Sequence, residues 1–217
     1  MLDPVSKMLL SGAGRRGPVV LMYHSVEPGG RRPGWHWSVS QRNFEAQLDL
    51  LASGGWHSHT VADLGDGGQV PERSVILTFD DGYRDNLAAF AAIAERGMRG
   101  TLFMVSGDVG GRASWGTDPN SGRAMLDQAQ LKELLAGGME IGCHTRAHPH
   151  LTALGDTRLR KEVVDSRKEL QDLLDDPIAS FAYPFGDHDD RVVEAVRQAG
   201  YRTACVTRSG WGRVDDD

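Results

Sequence analysis

Residues 75–82 read Val-Ile-Leu-Thr-Phe-Asp-Asp-Gly, a run of apolar and β-branched residues that leads directly into two carboxylates and a glycine. The first five residues are typical of a short buried strand. Two neighbouring negative charges at the end of such a strand are costly to bury without a partner. The stretch therefore predicts either a ligand that needs both charges or a turn in which Asp80 or Asp81 caps the next helix.

A second apolar stretch, residues 139–143, leads to two histidines four residues apart, His144 and His148. This spacing can place two ring nitrogens on one side of a helical turn or a tight loop, although exposed histidine pairs also occur by chance. Two imidazoles and one carboxylate would leave one position of a divalent metal open for water, which is the composition of a catalytic metal site. His150 fits this ligand pair less well, and we interpret it as an outer or surface residue.

Local signals in the sequence predict several helices and two loops. Ser40 can cap a first helix, Asp127 and Gln130 form a capping box for a later one, and residues 156–174 predict a long, charged helix. A Gly/Pro-rich loop is expected up to about residue 37, and the segment 106–123 is unusually long for a plain connection.

Predicted strands and helices alternate along the whole chain, which favours a parallel sheet covered by helices. We predict an α/β fold, a distorted TIM-like (β/α) barrel of about seven parallel strands. The chain is expected to be one domain, residues 1–217, with an ordered core of about 18–207. Catalytic residues of such folds lie at the carboxyl ends of the strands. The side chains that fall there are His24, Asp80, Asp81, His144, Tyr183, Pro184 and Phe185.

Composition and charge narrow the class of partner. The 217 residues carry a net charge of −6, so the chain shows no basic surface for nucleic acid or an anionic membrane. Cys143 and Cys205 lie on separate predicted strands, and we expect two buried free thiols. The apolar run at residues 8–10 is too short for a signal peptide or a membrane segment. We therefore expect a cytoplasmic chain as encoded, with a solvated acidic tail at 215–217; oligomeric state is unknown from sequence.

Three segments in this order carry a resemblance to a known family: Thr78–Gly82, His144–His148 and Phe181–Gly186. They resemble the first three motifs of the polysaccharide deacetylases, also called carbohydrate esterase family 4 or the NodB-homology domain. The resemblance runs from about Val19 to Val206. It implies hydrolysis of N-acetyl groups on the amino-sugar units of a polysaccharide or oligosaccharide, with one divalent metal. Zinc is the metal implied, with cobalt or nickel as alternatives, and many similar proteins act outside the cytoplasm.

The resemblance also implies a role for each site residue. Asp81, His144 and His148 would hold the metal, and Asp80 would be the general base that takes a proton from metal-bound water. Within the segment Tyr183-Pro184-Phe185, the backbone N–H of Phe185 would help the metal to stabilise the oxyanion.

Two departures from the common family pattern point to a subgroup. Ala182 stands where many members have an arginine that orients the catalytic aspartate, and no histidine follows Val206 to supply the usual acid. Both features resemble the poly-N-acetylglucosamine deacetylases of biofilm systems, in which the motif order is permuted. In that subgroup the acid comes from the end of the first strand, where this chain has His24. A buried, hydrogen-bonded structural histidine is the alternative.

Other functions fit the same motifs. Deacetylation of an O-acetyl ester or a non-sugar amide would keep the fold and the metal and change only the pocket. A catalytically weak carbohydrate-binding homologue is a further alternative, but a binding protein does not need Asp80 in addition to the ligand Asp81. A glycosidase is disfavoured, because its two carboxylates must flank the scissile bond at a separation of roughly 5 Å or more.

Overall fold

The computed structural model describes residues 18–29, 33–65, 71–116 and 122–207. The apolar run at 8–10 and the acidic tail at 215–217 lie outside these ranges. The chain divides into two compact units. The first comprises Met1–Phe79, Asp85–Thr101 and Ser209–Asp217, and the second comprises Asp80–Arg84 and Leu102–Arg208. The single-domain organisation stays a prediction.

The first unit is built around strand β5 (Ser74–Phe79), in which every residue is buried. Strand β1 (Val19–Tyr23) pairs with β5 in parallel, from Val19 opposite Val75 to Tyr23 opposite Phe79. Strand β4 (His57–His59) also pairs with β5 in parallel. A central strand of a parallel sheet is covered on both faces, which explains the unbroken apolar run in its sequence. Two short strands, β2 (Ser25–Glu27) and β3 (Ser38–Ser40), form a separate parallel pair.

Aromatic rings fill the core of the first unit. The ring of Phe79 lies 4.8 Å from that of Phe90, 5.3 Å from that of Tyr23 and 5.8 Å from that of Phe44, measured between centroids. Phe44 lies on helix α1 (Gln41–Ser53), which begins after Ser40, whose hydroxyl accepts the N–H of Asn43. The unit also contains helices α2 (Val61–Gly65) and α3 (Leu87–Glu95). The predicted start of α1 is confirmed.

Four strands in the order β6-β7-β8-β9 organise the second unit. They are β6 (Thr101–Met104), β7 (Glu140–Cys143), β8 (Ser180–Ala182) and β9 (Thr203–Cys205). β8 pairs in parallel with both β7 and β9. The predicted parallel α/β arrangement is therefore present within each unit. Cys143 is buried as expected, whereas Cys205 is only partly buried, because it lies on the last strand of the order.

Helices of the second unit begin where the sequence predicts. α4 (Gln128–Ala136) starts with a capping box, in which Asp127 and Gln130 each accept the other's backbone N–H. The long predicted helix over 156–174 is present as α5 (Asp156–Arg160) and α6 (Ser166–Leu174), joined by a π-helical segment at Lys161–Asp165 that the sequence did not predict. α7 (Asp190–Gln198) precedes β9. No helix among the described residues is both long and apolar enough to cross a membrane.

Candidate active site

The second unit brings one carboxylate and two imidazoles together. Asp81, His144 and His148 each offer a ligand atom, and these atoms all lie within 4.8 Å of one another. Oδ1 of Asp81 is 3.3 Å from Nε2 of His148 and 3.6 Å from Nε2 of His144. All three side chains are buried. The spacing predicted from the sequence therefore corresponds to a real cluster that could hold a metal ion.

Two details of this cluster fit a divalent metal. Oδ1 of Asp81 is buried and has no hydrogen-bond partner among the described residues, although buried carboxylate oxygens are normally paired. Nδ1 of His144 lies 2.8 Å from the carbonyl oxygen of Ala182. A carbonyl can only accept, so Nδ1 carries the proton and Nε2 is left to face Asp81 as a potential ligand.

Backbone strain is concentrated around the cluster. Six non-glycine residues among those described have a positive φ, and four of them belong to the three motifs. These four are Asp81 (φ 77°), Thr145 (φ 66°), His148 (φ 54°) and Phe185 (φ 60°). Each such residue costs on the order of 1–3 kcal/mol and persists only where its surroundings fix it. The site is therefore held in an unfavourable conformation by the rest of the unit, as is common at functional sites.

The turn after β5 explains how adjacent aspartates can serve one site. In a regular strand their side chains would point to opposite faces. Here the N–H of Gly82 bonds to the carbonyl of Asp80 at 3.0 Å, and Gly82 has a φ of +95°. A Cβ on Gly82 would lie 2.2 Å from Sδ of Met104, so the turn requires glycine for both conformation and space.

Both carboxylates of this turn are destabilised in the absence of a cation. Burial raises the pKa of Asp81 to about 7, against a hydrogen bond from the side chain of Tyr83 that favours the ionised form. Burial, and then the neighbouring charge of Asp81, raise the pKa of Asp80 well above its usual range. A bound cation would compensate both charges, which is a further indication that the site binds one.

His148 is flanked by two aromatic rings, one from the third motif and one from a long loop. The ring of Phe185, which is 54% exposed, meets that of His148 edge-on at 4.6 Å and stacks on His150 at 4.1 Å. The ring of Trp115 stacks on His148 at 4.8 Å. Tyr183 and Pro184 are buried beside Phe185 in the chain. Sequence reasoning missed Trp115; its only signal was the unusual length of the loop over 106–123.

His24 belongs to the first unit. Its ring contacts that of Trp37 at 4.8 Å, and its backbone carbonyl accepts a hydrogen bond from Nδ2 of Asn86. Burial, and then the charge of His36, lower the pKa of His24 to about 4, so its imidazole is neutral near pH 7. The second unit thus contains Asp80, Asp81, His144, His148 and the third motif, whereas the assignment of His24 to the site stays a prediction.

Comparison with known proteins gives a consistent family. Residues 67–204, more than half of the chain, match the polysaccharide deacetylase family. YxkH of Bacillus subtilis is 28% identical over 196 residues, which are 88% of this chain and 64% of that protein. Peptidoglycan-N-acetylglucosamine deacetylase of Bacillus cereus is 25% identical over 134 residues, which are 61% of this chain and 55% of that protein. The chain thus spans less than two thirds of the curated relatives it matches.

Solved structures show the same fold. IcaB from Ammonifex degensii is 29% identical, with a TM-score of 0.74, over 86% of this chain and 82% of that one. BC0361, a polysaccharide deacetylase from Bacillus cereus, is 27% identical, with a TM-score of 0.74, over 89% of this chain and 58% of that one. The predicted α/β fold class with parallel strands is confirmed. The solved relatives have a (β/α)-barrel fold.

Proposed function

The chain belongs to the polysaccharide deacetylase family, and on that premise we propose that it is a metal-dependent hydrolase of N-acetyl groups on amino-sugar units of a polysaccharide or oligosaccharide. The observation that carries the proposal is the buried cluster of Asp81, His144 and His148, with a second buried carboxylate, Asp80, next to it in the chain. The name of the Bacillus cereus relative, a peptidoglycan-N-acetylglucosamine deacetylase, supports an N-acetylated sugar as substrate.

The reaction divides among these residues by their chemistry. Asp81, His144 and His148 would hold the ion, which we propose is zinc, with cobalt or nickel as alternatives. When bound, such an ion lowers the pKa of its water to about 7 and polarises the substrate carbonyl. Asp80, which the bound cation would keep ionised, accepts the proton of the attacking water as general base. The backbone N–H of Phe185 donates to the developing oxyanion.

Hydrolysis of the amide also needs a proton at the leaving nitrogen. Water adds to the acyl carbon, the C–N bond breaks, acetate leaves, and the amine takes up one proton. We propose that His24 delivers it. Because the pKa of His24 is about 4, its imidazole is neutral near pH 7. It takes up one proton from solvent and passes it to the amine, while Asp80 returns the proton of the attacking water to solvent.

Acetate release tests the proposed function directly. Chelator-treated protein is incubated with N-acetylglucosamine oligomers of increasing length, with and without added zinc, cobalt or nickel ions. An O-acetylated sugar and a small non-sugar acetamide serve as matched alternative substrates. We expect metal-dependent release from the N-acetylated oligomers above both alternatives. Release only from the ester or the acetamide, or no release from any of them by zinc-loaded protein, would contradict the proposal.

A separate variant tests the acid. His24→Asn keeps a polar side chain but cannot relay a proton through an imidazole. We expect acetate release to fall about 100-fold or more, the usual contribution of a general acid, with zinc content unchanged. An unaltered rate would contradict the role of His24 as the acid and leave it a structural histidine.

A further inference from the structure

We infer that Glu162 is a positioning residue, whose carboxylate holds the loop between His144 and His148 in the conformation that binds the metal. The inference rests on the proposed function, because it requires that the two histidines ligate a metal. Glu162 itself lies on the π-helical segment Lys161–Asp165 and is only 7% exposed. The motifs of the sequence analysis do not include it.

The carboxylate of Glu162 makes two contacts with the backbone of that loop. Its Oε2 accepts the N–H of Arg146 at 3.0 Å and the N–H of Ala147 at 2.9 Å. These two amides lie between the ligands in the chain. A charged acceptor makes stronger hydrogen bonds than a neutral one. One side chain therefore fixes two consecutive peptide groups of the metal loop.

Other backbone groups of the loop are bonded to the segment that follows β6. The carbonyl of Thr145 accepts the N–H of Ser106 at 3.1 Å, and the carbonyl of Arg146 accepts the N–H of Gly107 at 2.9 Å. Thr145 and His148 both have positive φ angles. A loop with such strained residues must be held by its surroundings. The carboxylate of Glu162 holds two of its amides, and the segment after β6 holds two of its carbonyls.

The π-helical segment also presents Glu162 in a supported position. π-helical turns are rare and frequently occur at functional sites. The backbone carbonyl of Glu162 accepts the hydroxyl of Ser166 at 2.6 Å, and that of Val163 accepts the hydroxyl of Tyr201 at 3.0 Å. These bonds, one from α6 and one from Tyr201, hold two carbonyls of the segment that carries Glu162.

Glu169, on α6, is a matched control. Its Oε1 accepts Nε of Arg146 at 2.8 Å, and its Oε2 accepts the hydroxyl of Ser106 at 2.6 Å. It therefore contacts the same loop as Glu162 does, and also the segment after β6, but through their side chains, and both Arg146 and Glu169 are substantially exposed. Exposed ion pairs of this kind contribute little.

The experiment titrates metal-free protein with zinc chloride by calorimetry and follows amide hydrogen exchange of residues 145–148 before metal is added. Glu162→Ala removes both acceptor contacts, and we expect zinc affinity to fall about 10- to 100-fold, as for other outer residues that orient metal ligands. Glu162→Gln keeps an oxygen that can accept both N–H groups, so its loss is expected to be smaller, within about 10-fold. Glu169→Ala is expected to change affinity less than about 3-fold.

Hydrogen exchange separates positioning from general stability. The amides of Arg146 and Ala147 should exchange faster in Glu162→Ala than in the unmodified protein, with near-normal protection in Glu162→Gln. If Glu162→Ala does not fold, the glutamine variant and the Glu169→Ala control carry the comparison. Equal zinc affinity in all folded variants would overturn the inference and leave the proposed function intact, and so would a loss in Glu169→Ala as large as in the Glu162 variants. Absence of zinc binding to the unmodified protein, together with no acetate release in the presence of zinc, cobalt or nickel, would overturn both.

Discussion

Asp80 and Asp81 sit side by side in the chain, and each carboxylate is removed from water. The pKa of both groups is raised, chiefly by burial. Without a cation at this position, the two carboxyl groups are costly to ionise. The proposed metal would remove that cost, so binding of the metal should also stabilise the folded protein.

The pH dependence of the metal-free protein follows from Asp81. In the unfolded chain an aspartate ionises near pH 4, whereas in the folded metal-free protein this group keeps its proton up to about pH 7. The folded state thus binds more protons between these values. The contribution of Asp81 to the free energy of unfolding is therefore fully present below pH 4 and falls as pH rises to about 7.

Urea unfolding in the presence of a chelator measures this effect. The free energy of unfolding should decrease between pH 5 and pH 7.5, and Asp81→Asn, which cannot ionise, should show a smaller decrease. An equal decrease in both proteins would contradict the assigned pKa.

For the individual residues, the sequence indicated most of the site. Asp81, His144 and His148 were predicted because motifs at the ends of apolar strands report their position without any knowledge of packing. Trp115 and Glu162 were missed, because each is recognisable only from what it touches: the ring of His148 for one and two loop amides for the other. No local pattern in the chain encodes those contacts.

Among the elements, the turn at Gly82 is sensitive to substitution. Gly82→Ala would combine a positive φ with a Cβ placed 2.2 Å from Sδ of Met104. Gly97 has a φ of +62° and no atom within 4 Å of the position that a Cβ would occupy, so it is a matched control for the strain alone. We expect Gly97→Ala to cost about 1 kcal/mol and Gly82→Ala about 1–3 kcal/mol more. Equal losses in urea unfolding would show that the contact with Met104 is relieved without cost.

The capping box of α4 gives a second prediction for an element. Asp127→Ala removes the side chain that accepts the N–H of Gln130 at 2.9 Å. We expect a loss of about 1 kcal/mol in the free energy of unfolding. Lys132→Ala, at an exposed position of the same helix, should change it by less than about 0.5 kcal/mol. A loss no larger than that of the control would contradict the role of the cap.

Elements with strong local signals were predicted, and those that depend on distant partners were not. β5 and the starts of α1 and α4 follow from an apolar run and from capping residues. The pairing of β2 with β3 was not predicted. β2 lies where the sequence predicts a loop, and the N–H of Val26 in β2 bonds to Oδ1 of Asn86, far along the chain. The π-helical segment keeps the apolar spacing of the surrounding helix, so its sequence does not distinguish it.

For the whole molecule, the proposed metal should act as a stabilising ligand of the folded state. A ligand at 100 times its dissociation constant adds about 2.7 kcal/mol to the free energy of unfolding. For a chain of this length that corresponds to a rise of about 5–10 °C in melting temperature. Zinc should produce this rise in the chelator-treated protein and not in Asp81→Asn. An equal rise in the variant would place the zinc elsewhere.

The division of labour between Asp80 and Asp81 is the central claim, and one paired measurement tests it most directly. Zinc content and acetate release from N-acetylglucosamine oligomers are determined on the same preparations of the unmodified protein, Asp80→Asn and Asp81→Asn. We predict that Asp80→Asn keeps one zinc ion per chain while its acetate release falls about 100-fold or more. Asp81→Asn should lose the zinc as well as the activity. Acetate release at the unmodified rate by zinc-loaded Asp80→Asn would contradict the account.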